Sequence, residues 1–195
     1  MHVFLDFEAS SLNHEGYPIE VGWAAEDGTR ESHLIRPASE WTDWDPAAEA
    51  MHRVSRAQLL AEGEDHAAVA RRVLDRLSPH AVYVTAPSWD GMWLSRLFRA
   101  SGIPRHAMRF RHADEAHFAA AVEPLAGVVA DTELEPLAVG VIQRARAARA
   151  GRPPAHRALA DAEAELDLWR EISSEADAVA RTLTATQGTL NPNGR

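Results

Sequence analysis

The sequence predicts a single α/β domain built on a mixed β-sheet, with an antiparallel three-strand start, then parallel strands, and α-helices on its flanks. Three observations predict it. Three β-prone runs separated by turn signals occupy the first 36 residues. A helical stretch then leads into a fourth β-prone run at residues 81–85, the pattern of a strand that returns parallel to the first after a crossover. Nearly everything after that run has helical spacing of its apolar residues. A chain of 195 residues, 46% hydrophobic and 25% charged, suits one globular domain with a full core.

Residues 2–7 are short and apolar and form the first strand. A polar loop with Gly16 and Pro18 follows. Ile19, Val21 and Trp23 then alternate with Glu20, Gly22 and Ala24 in the second strand. Asp27-Gly28 is a hairpin turn signal, so residues 29–36 return as the third strand and Pro37 stops it. Asp45 as N-cap before Pro46 opens a short helix through Met51, and a second short helix runs from Ser55 to a stop near Gly63. Val69, Val73, Leu74 and Leu77 mark the crossover helix. Met92, Trp93, Leu97 and Phe98 mark a helix over 89–100, with Trp93 as a packing residue, and residues 107–111 form a fifth strand. Helices are predicted over 113–121, 133–150, 156–172 and from 174 to about 183, leaving residues 184–195 as a polar C-terminal tail behind a domain over 1–183.

The chain carries 20 basic and 29 acidic residues, a formal charge of −9. That argues against a protein that coats duplex DNA, which neutralises many phosphates with Lys and Arg. It leaves room for one that grips a few nucleotides through bound cations. No Cys is present, which removes disulfides and thiolate metal sites. Neither a leader pattern nor an apolar run of membrane-spanning length is visible, so no membrane partner and a cytoplasmic location are expected.

Asp-x-Glu occurs three times, as Asp6/Glu8, Asp131/Glu133 and Asp161/Glu163. Two residues apart on a strand share a face at roughly 6.5–7 Å, a spacing that can flank a pair of metal ions about 3.5–4 Å apart. Two apart on a helix diverge. Only Asp6/Glu8 ends a predicted strand. Asp131 and Glu133 suit a helix start, and Glu163 falls on a different helical face from Asp161. Asp90 follows the Ala86-Pro87-Ser88 break and opens a helix, a place that also suits an acid complementing the helix dipole. His156 and Asp161 lie five apart. In one regular helix they would point in different directions. They can share a site only if His156 sits on an irregular lead-in, which the Pro153-Pro154 break permits.

Taken together, Phe4-Leu5-Asp6-Phe7-Glu8, the helix-opening Asp90, and His156-Arg157-Ala158-Leu159-Ala160-Asp161-Ala162, in this order, resemble the three motifs of the DEDDh branch of the DnaQ-like (RNase T-like) 3′–5′ exonuclease superfamily. The resemblance covers about residues 2–172. The sister branch has Tyr four residues before the last Asp, where Arg157 stands here. Met51-His52-Arg53-Val54 is similar to an Ile-His-Gly-Ile stretch of many relatives, with Arg53 in place of the usual small residue.

The resemblance implies an RNase H-like fold and release of nucleoside 5′-monophosphates from single-stranded 3′ ends, RNA or DNA, or from short oligonucleotides. It implies two divalent cations, Mg²⁺ or Mn²⁺: Asp6 bridging them, Glu8 and Asp161 on the first, Asp90 on the second. His156 would be the general base, a role that suits histidine because the side chain titrates near neutrality. Phe7, Ala9, Ser10 and Leu12, just after the first acids, and Trp89 beside Asp90 would hold the last bases. Arg105, Arg109 and Arg111 suit either a phosphate track or a solvated basic strand. The resemblance also admits a homodimer. Two other readings share the same residues: a binding or scaffold domain without turnover, and a phosphohydrolase of small nucleotides.

Overall fold

In the computed structural model the described residues are 1–190, with side chains through Thr186. They form two compact units, one of Met1–Ala113 with Pro153–Leu166, the other of Asp114–Arg152 with the residues from Asp167 onward.

The first unit holds a six-stranded sheet in the order β4-β3-β2-β1-β5-β6. Its strands are β1 (His2–Ala9), β2 (Pro18–Ala25), β3 (Arg30–Arg36), β4 (Glu64–Asp65), β5 (Ala81–Val84) and β6 (Arg111–His112). β1, β2 and β3 form the antiparallel start, and β5 pairs parallel to β1, so the mixed sheet read from the sequence is the one observed. β4 was not anticipated; it is two residues long, too short for any periodicity to reveal. The fifth predicted strand is displaced to Arg111–His112.

Helices α1 (Pro46–His52), α2 (Arg56–Glu62), α3 (His66–Leu77) and α4 (Pro87–Ala100) complete this part of the chain. Asp45 caps α1 by accepting the Ala47 N–H at 2.8 Å, and Ser55 caps α2 through Gln58 N–H at 3.1 Å. Val3, Leu5 and Phe7 of β1 join Trp23 of β2, Val69 and Val73 of α3, and Trp93, Leu97 and Phe98 of α4 in one core. The opposite face of β1 carries Phe4, Asp6 and Glu8, because successive side chains alternate.

The second unit contains most of α5 (Ala113–Leu125), α6 (Asp131–Ala148) and the later part of α7 (Ala158–Leu190). Leu125, Val141, Leu168 and Ile172 fill its core. Two helices were expected where α7 is continuous through Ser173 and Ser174. Leu168, Ile172, Ala176 and Ala180 are buried at four-residue spacing, so one apolar stripe crosses the serines. Their propensity cost, below about 1 kcal/mol each, is too small to break it. The helix therefore passes the expected tail boundary at 184, and residues 191–195 of that tail lie outside the described residues. No helix among the described residues is long and apolar enough to cross a membrane.

Candidate active site

Asp6 and Glu8 end β1 on one face, opposite Gly22 and Glu20 of β2 in register. This face of β2 consists of Glu20, Gly22 and Ala24, which by alternation alone looks solvent-facing; in the structure every residue of β2 is buried. The cover is the start of α7. A Cβ at Gly22 would overlap Leu159 N and Cα and lie 2.6 Å from Ala158 C. The missing side chain is what lets the α7 backbone rest on the strand beside Asp6. Gly22→Ala is expected to cost about 3 kcal/mol or more and to lower Tm by roughly 6–12 °C, read by thermal unfolding; an unchanged Tm would show that the contact yields at no cost.

Glu20 locks the same junction. Its carboxylate, 1% exposed, accepts Arg157 Nε–H at 2.9 Å and an Nη2–H at 2.8 Å. It also accepts Ser32 Oγ–H at 3.1 Å and the Ala158 N–H at 3.3 Å. Such a bidentate pair fixes direction as well as distance. Sequence reasoning missed Glu20. Its one visible signal is an acid inside an apolar strand, and its partner lies 137 residues away.

The segment from His156 to Ala162 takes shape at this junction. His156 precedes α7 and has φ of 53°, a left-handed conformation, so it occupies the irregular lead-in that the spacing required. Asp161, in the first turn of α7, accepts the Ala155 N–H at 2.8 Å and the Arg157 N–H at 3.2 Å, one on each side of His156. Its carboxylate thereby ties the segment carrying the histidine to the helix.

Asp6, Glu8 and Asp161 can each offer an oxygen, and these atoms lie within 4.8 Å of one another. Asp90, 3% exposed, reaches the same end of β1 from α4: it accepts the Ala86 N–H at 3.2 Å and a backbone hydrogen bond from Phe7. The electrostatics record the convergence. Burial, and then the charges of Asp90, Glu8 and Asp161, push the Asp6 carboxyl well above the usual carboxylate range. Burial first, with Asp161 and Glu20 next, raises Glu8 to about 7. Burial raises Asp90 to about 7 against its backbone hydrogen bonds. Among the described residues, Arg157 is the cation that acts on Glu8, and its guanidinium is committed to Glu20. Acids held in this way either keep their protons or take up a cation. A set of carboxylate oxygens with no sulfur donor suits hard divalent ions, so these residues fit such a group.

Among the described residues, the group of acids that could hold a metal ion does not include Asp131, Glu133 or Glu163. Asp131 and Glu133 begin α6 in the second unit, and Glu163 pairs with Arg30.

Among the substrate candidates, Phe7 is buried and its ring packs on Phe110 at 6.4 Å, while the buried Ser10 accepts the Tyr17 N–H at 3.0 Å. Their side chains are committed to the fold. Ala9 is half-buried at a register shift in β1. Leu12 is 72% exposed, on a loop braced by Ser11, which hydrogen-bonds Asp43 and accepts the Asn13 N–H. Trp89 is 40% exposed and stacks on the buried Trp93 at 5.8 Å.

His52 ends α1, 2% exposed. Its Nδ1 accepts the Val54 N–H at 3.1 Å, and its Nε2 has no hydrogen-bond partner among the described residues. Burial lowers its pKa, with Glu20, Arg157 and His156 among the charges acting on it. Arg53, at the place of the small residue in the resembling stretch, has φ of 60°, where glycine is favoured.

No family model and no curated protein matches the chain. Solved structures do. The zinc ion bound form of an Escherichia coli ExoI–ssDNA complex is 17% identical with a TM-score of 0.63, over 89% of this chain and 40% of that one. E. coli exonuclease I in complex with a dA16 oligonucleotide is 16% identical with a TM-score of 0.63, over 93% and 42%. A moderately thermophilic exonuclease I from Methylocaldum szegediense is 15% identical with a TM-score of 0.64, over 94% and 42%. The chain thus spans less than half the length of these proteins, and at this identity the likeness is one of fold: a mixed-sheet α/β architecture of the RNase H-like exonuclease type, shared with part of exonuclease I.

Proposed function

We propose that this chain is a metal-dependent 3′–5′ exonuclease of the DEDDh type that releases nucleoside 5′-monophosphates from single-stranded nucleic acid. The observation that carries the reading is the meeting of Asp6, Glu8 and Asp161 within 4.8 Å, with Asp90 acting on Asp6 and, among the described residues, Arg157 as the cation acting on Glu8, itself paired with Glu20. The fold shared with structures that hold single-stranded oligonucleotides supports it.

Asp6, Glu8 and Asp161, with Asp90 in reach of Asp6, would hold divalent cations, which would supply charge neutralisation and Lewis acidity at the scissile phosphate. The remaining work falls to the chain's own groups. His156, free of helical constraint, takes the proton of the attacking water. Asp161 holds the segment carrying that histidine. The Glu20–Arg157 pair keeps α7 seated on β2, which sets the distance from His156 to Asp6 and Glu8. Leu12 and Trp89 offer apolar surface to the terminal bases, and each stacked base adds about 1–3 kcal/mol of binding.

The test is a time course with 3′-labelled and 5′-labelled single-stranded RNA and DNA in Mg²⁺, Mn²⁺ and EDTA. Mononucleotide should appear first from the 3′ label, only with metal. Internal cleavage, or cleavage that persists in EDTA, would overturn the reading. His156→Ala should slow hydrolysis by about 10²–10⁴-fold; near wild-type turnover would remove the histidine from its role.

A further inference from the structure

The acidic balance of the chain hides a basic exception. Between Asp90 and Asp114 lie Arg96, Arg99, Arg105, Arg109 and Arg111 with His106 and His112, and no acid. Arg96 is engaged, donating to the backbone oxygens of His14 and Glu15. Arg105 and Arg109 are exposed, and among the described residues neither pairs with a carboxylate. Arg105 Nε–H donates only to His106 Nε2, at 2.9 Å. Several other guanidinium groups do find acids: Arg72 pairs with Glu31, Arg149 with Glu171 and Arg157 with Glu20. Arg105 and Arg109 are thus free to meet an anionic ligand, in a chain whose formal charge is −9.

They also line a concavity. Residues 105–110 and the first half of α4 enclose a pocket of about 410 Å³, with Arg105, His106 and Arg109 on one side and Gly91 and Ser95 on the other. No carboxylate lines it. The volume falls in the range of nucleotide-sized ligand sites. Gly91 leaves its α4 face open, for a Cβ there would meet nothing within 4 Å. The pocket lies beside Asp90 and near the end of β1. Gly91 follows Asp90 in α4, and Phe110 packs on Phe7, whose side chain is on the face of β1 opposite Asp6 and Glu8 and whose backbone N–H donates to Asp90. A strand whose 3′ end sits at the acids therefore has a positively charged hollow beside it.

We propose that this pocket is a subsite for the phosphodiester backbone of the single strand, upstream of its 3′ end, gripped by the Arg105 and Arg109 guanidiniums. Arginine suits this task because its planar fork of donors matches phosphate oxygens. The inference rests on the exonuclease reading for the class of ligand, and it adds where the strand runs. It divides the labour of the site: acids and cations hold the terminal phosphate, and arginines hold one further along.

The test is binding without metal, so that it does not depend on turnover. A fluorescent oligothymidylate of about a dozen nucleotides, longer than the terminal site alone can hold, is titrated in EDTA against the wild-type chain and three variants. Arg105→Glu with Arg109→Glu should weaken binding by about tenfold or more. It should also flatten the dependence of log K on log salt by about 1.4, the share of two phosphate contacts on a single strand. Gly91→Leu, which fills the pocket without changing charge, should weaken binding too. Arg71→Glu with Arg181→Glu makes the same change in net charge on exposed helical surface elsewhere and should leave binding close to wild type. The proposal is overturned if the wild-type chain does not bind the strand, if the pocket variants bind as the wild type does, or if the remote pair weakens binding equally. Failure of the exonuclease reading would show separately, as no release of mononucleotide by the wild-type chain with Mg²⁺ or Mn²⁺.

Discussion

Asp6→Asn is expected to abolish hydrolysis and, in the absence of metal, to make the protein more stable. Asp6 lies at the centre of the acid cluster, where Asp90, Glu8 and Asp161 all act on it. Asparagine keeps the shape and one acceptor oxygen but loses the charge on which divalent cations depend. The expected loss of turnover is at least about 10³-fold, or about 4 kcal/mol in the barrier. The gain in stability comes from the same charge. A carboxyl whose pKa is raised by burial and by like charges opposes folding at any pH where it must ionise. Removing it should raise Tm in EDTA at pH 8 by several degrees, the effect of about 1–3 kcal/mol. The two measurements together separate a functional acid from a structural one. A variant that is both inactive and less stable would mean that Asp6 holds the fold together, and the active-site assignment would fail.

The pH dependence of stability should run downhill toward alkaline pH without metal and flatten when metal is added. Glu8 and Asp90 both rise to about 7 in the folded chain, from ordinary carboxyl values near 4. Between those values the folded state holds protons that the unfolded state has released, so stability falls as pH rises. The fall begins above about pH 4 and is complete once the pH passes the folded values near 7. Asp90, almost wholly buried, should account for on the order of 4 kcal/mol of it. Carboxylates shifted the other way act in a separate window. Glu171, held down by Arg149, stabilises above its unfolded value and loses that contribution only in acid. On the proposed reading, Mg²⁺ or Mn²⁺ would bind the ionised acids, and at about a hundred times its dissociation constant would return about 2.7 kcal/mol. Thermal unfolding from pH 5 to 8.5 with EDTA or with metal measures both slopes. A Tm that rises between pH 5 and 8 in EDTA would contradict the raised carboxyls.

The strands and the acids were legible for a common reason: each writes a short-range pattern. Alternation over β1 and β2 placed Asp6 and Glu8 on one strand face, and the Pro153-Pro154 break put His156 outside the helix. What stayed hidden depends on partners distant in sequence. Glu20 looks like an outward-facing strand residue until α7 lies over it, and only then does Arg157 become its counter-ion. Gly22 looks like a weak strand residue until Leu159 rests on it. Ser173 and Ser174 look like a break until the stripe from Leu168 to Ala180 runs beneath them. The basic pocket likewise needed α4 and residues 105–110 to be brought together.

Asp161 binds two kinds of order to one side chain. Its oxygens accept the N–H groups on either side of His156, and the same oxygens face Asp6 and Glu8. Each carboxylate oxygen has lone pairs for more than one partner, so a cation and the histidine segment can draw on it together. Damage at this position is therefore indivisible. On the proposed reading, excess cation would compensate for a weakened carboxylate elsewhere in the cluster, but no concentration of it would rebuild a segment that has lost its tether.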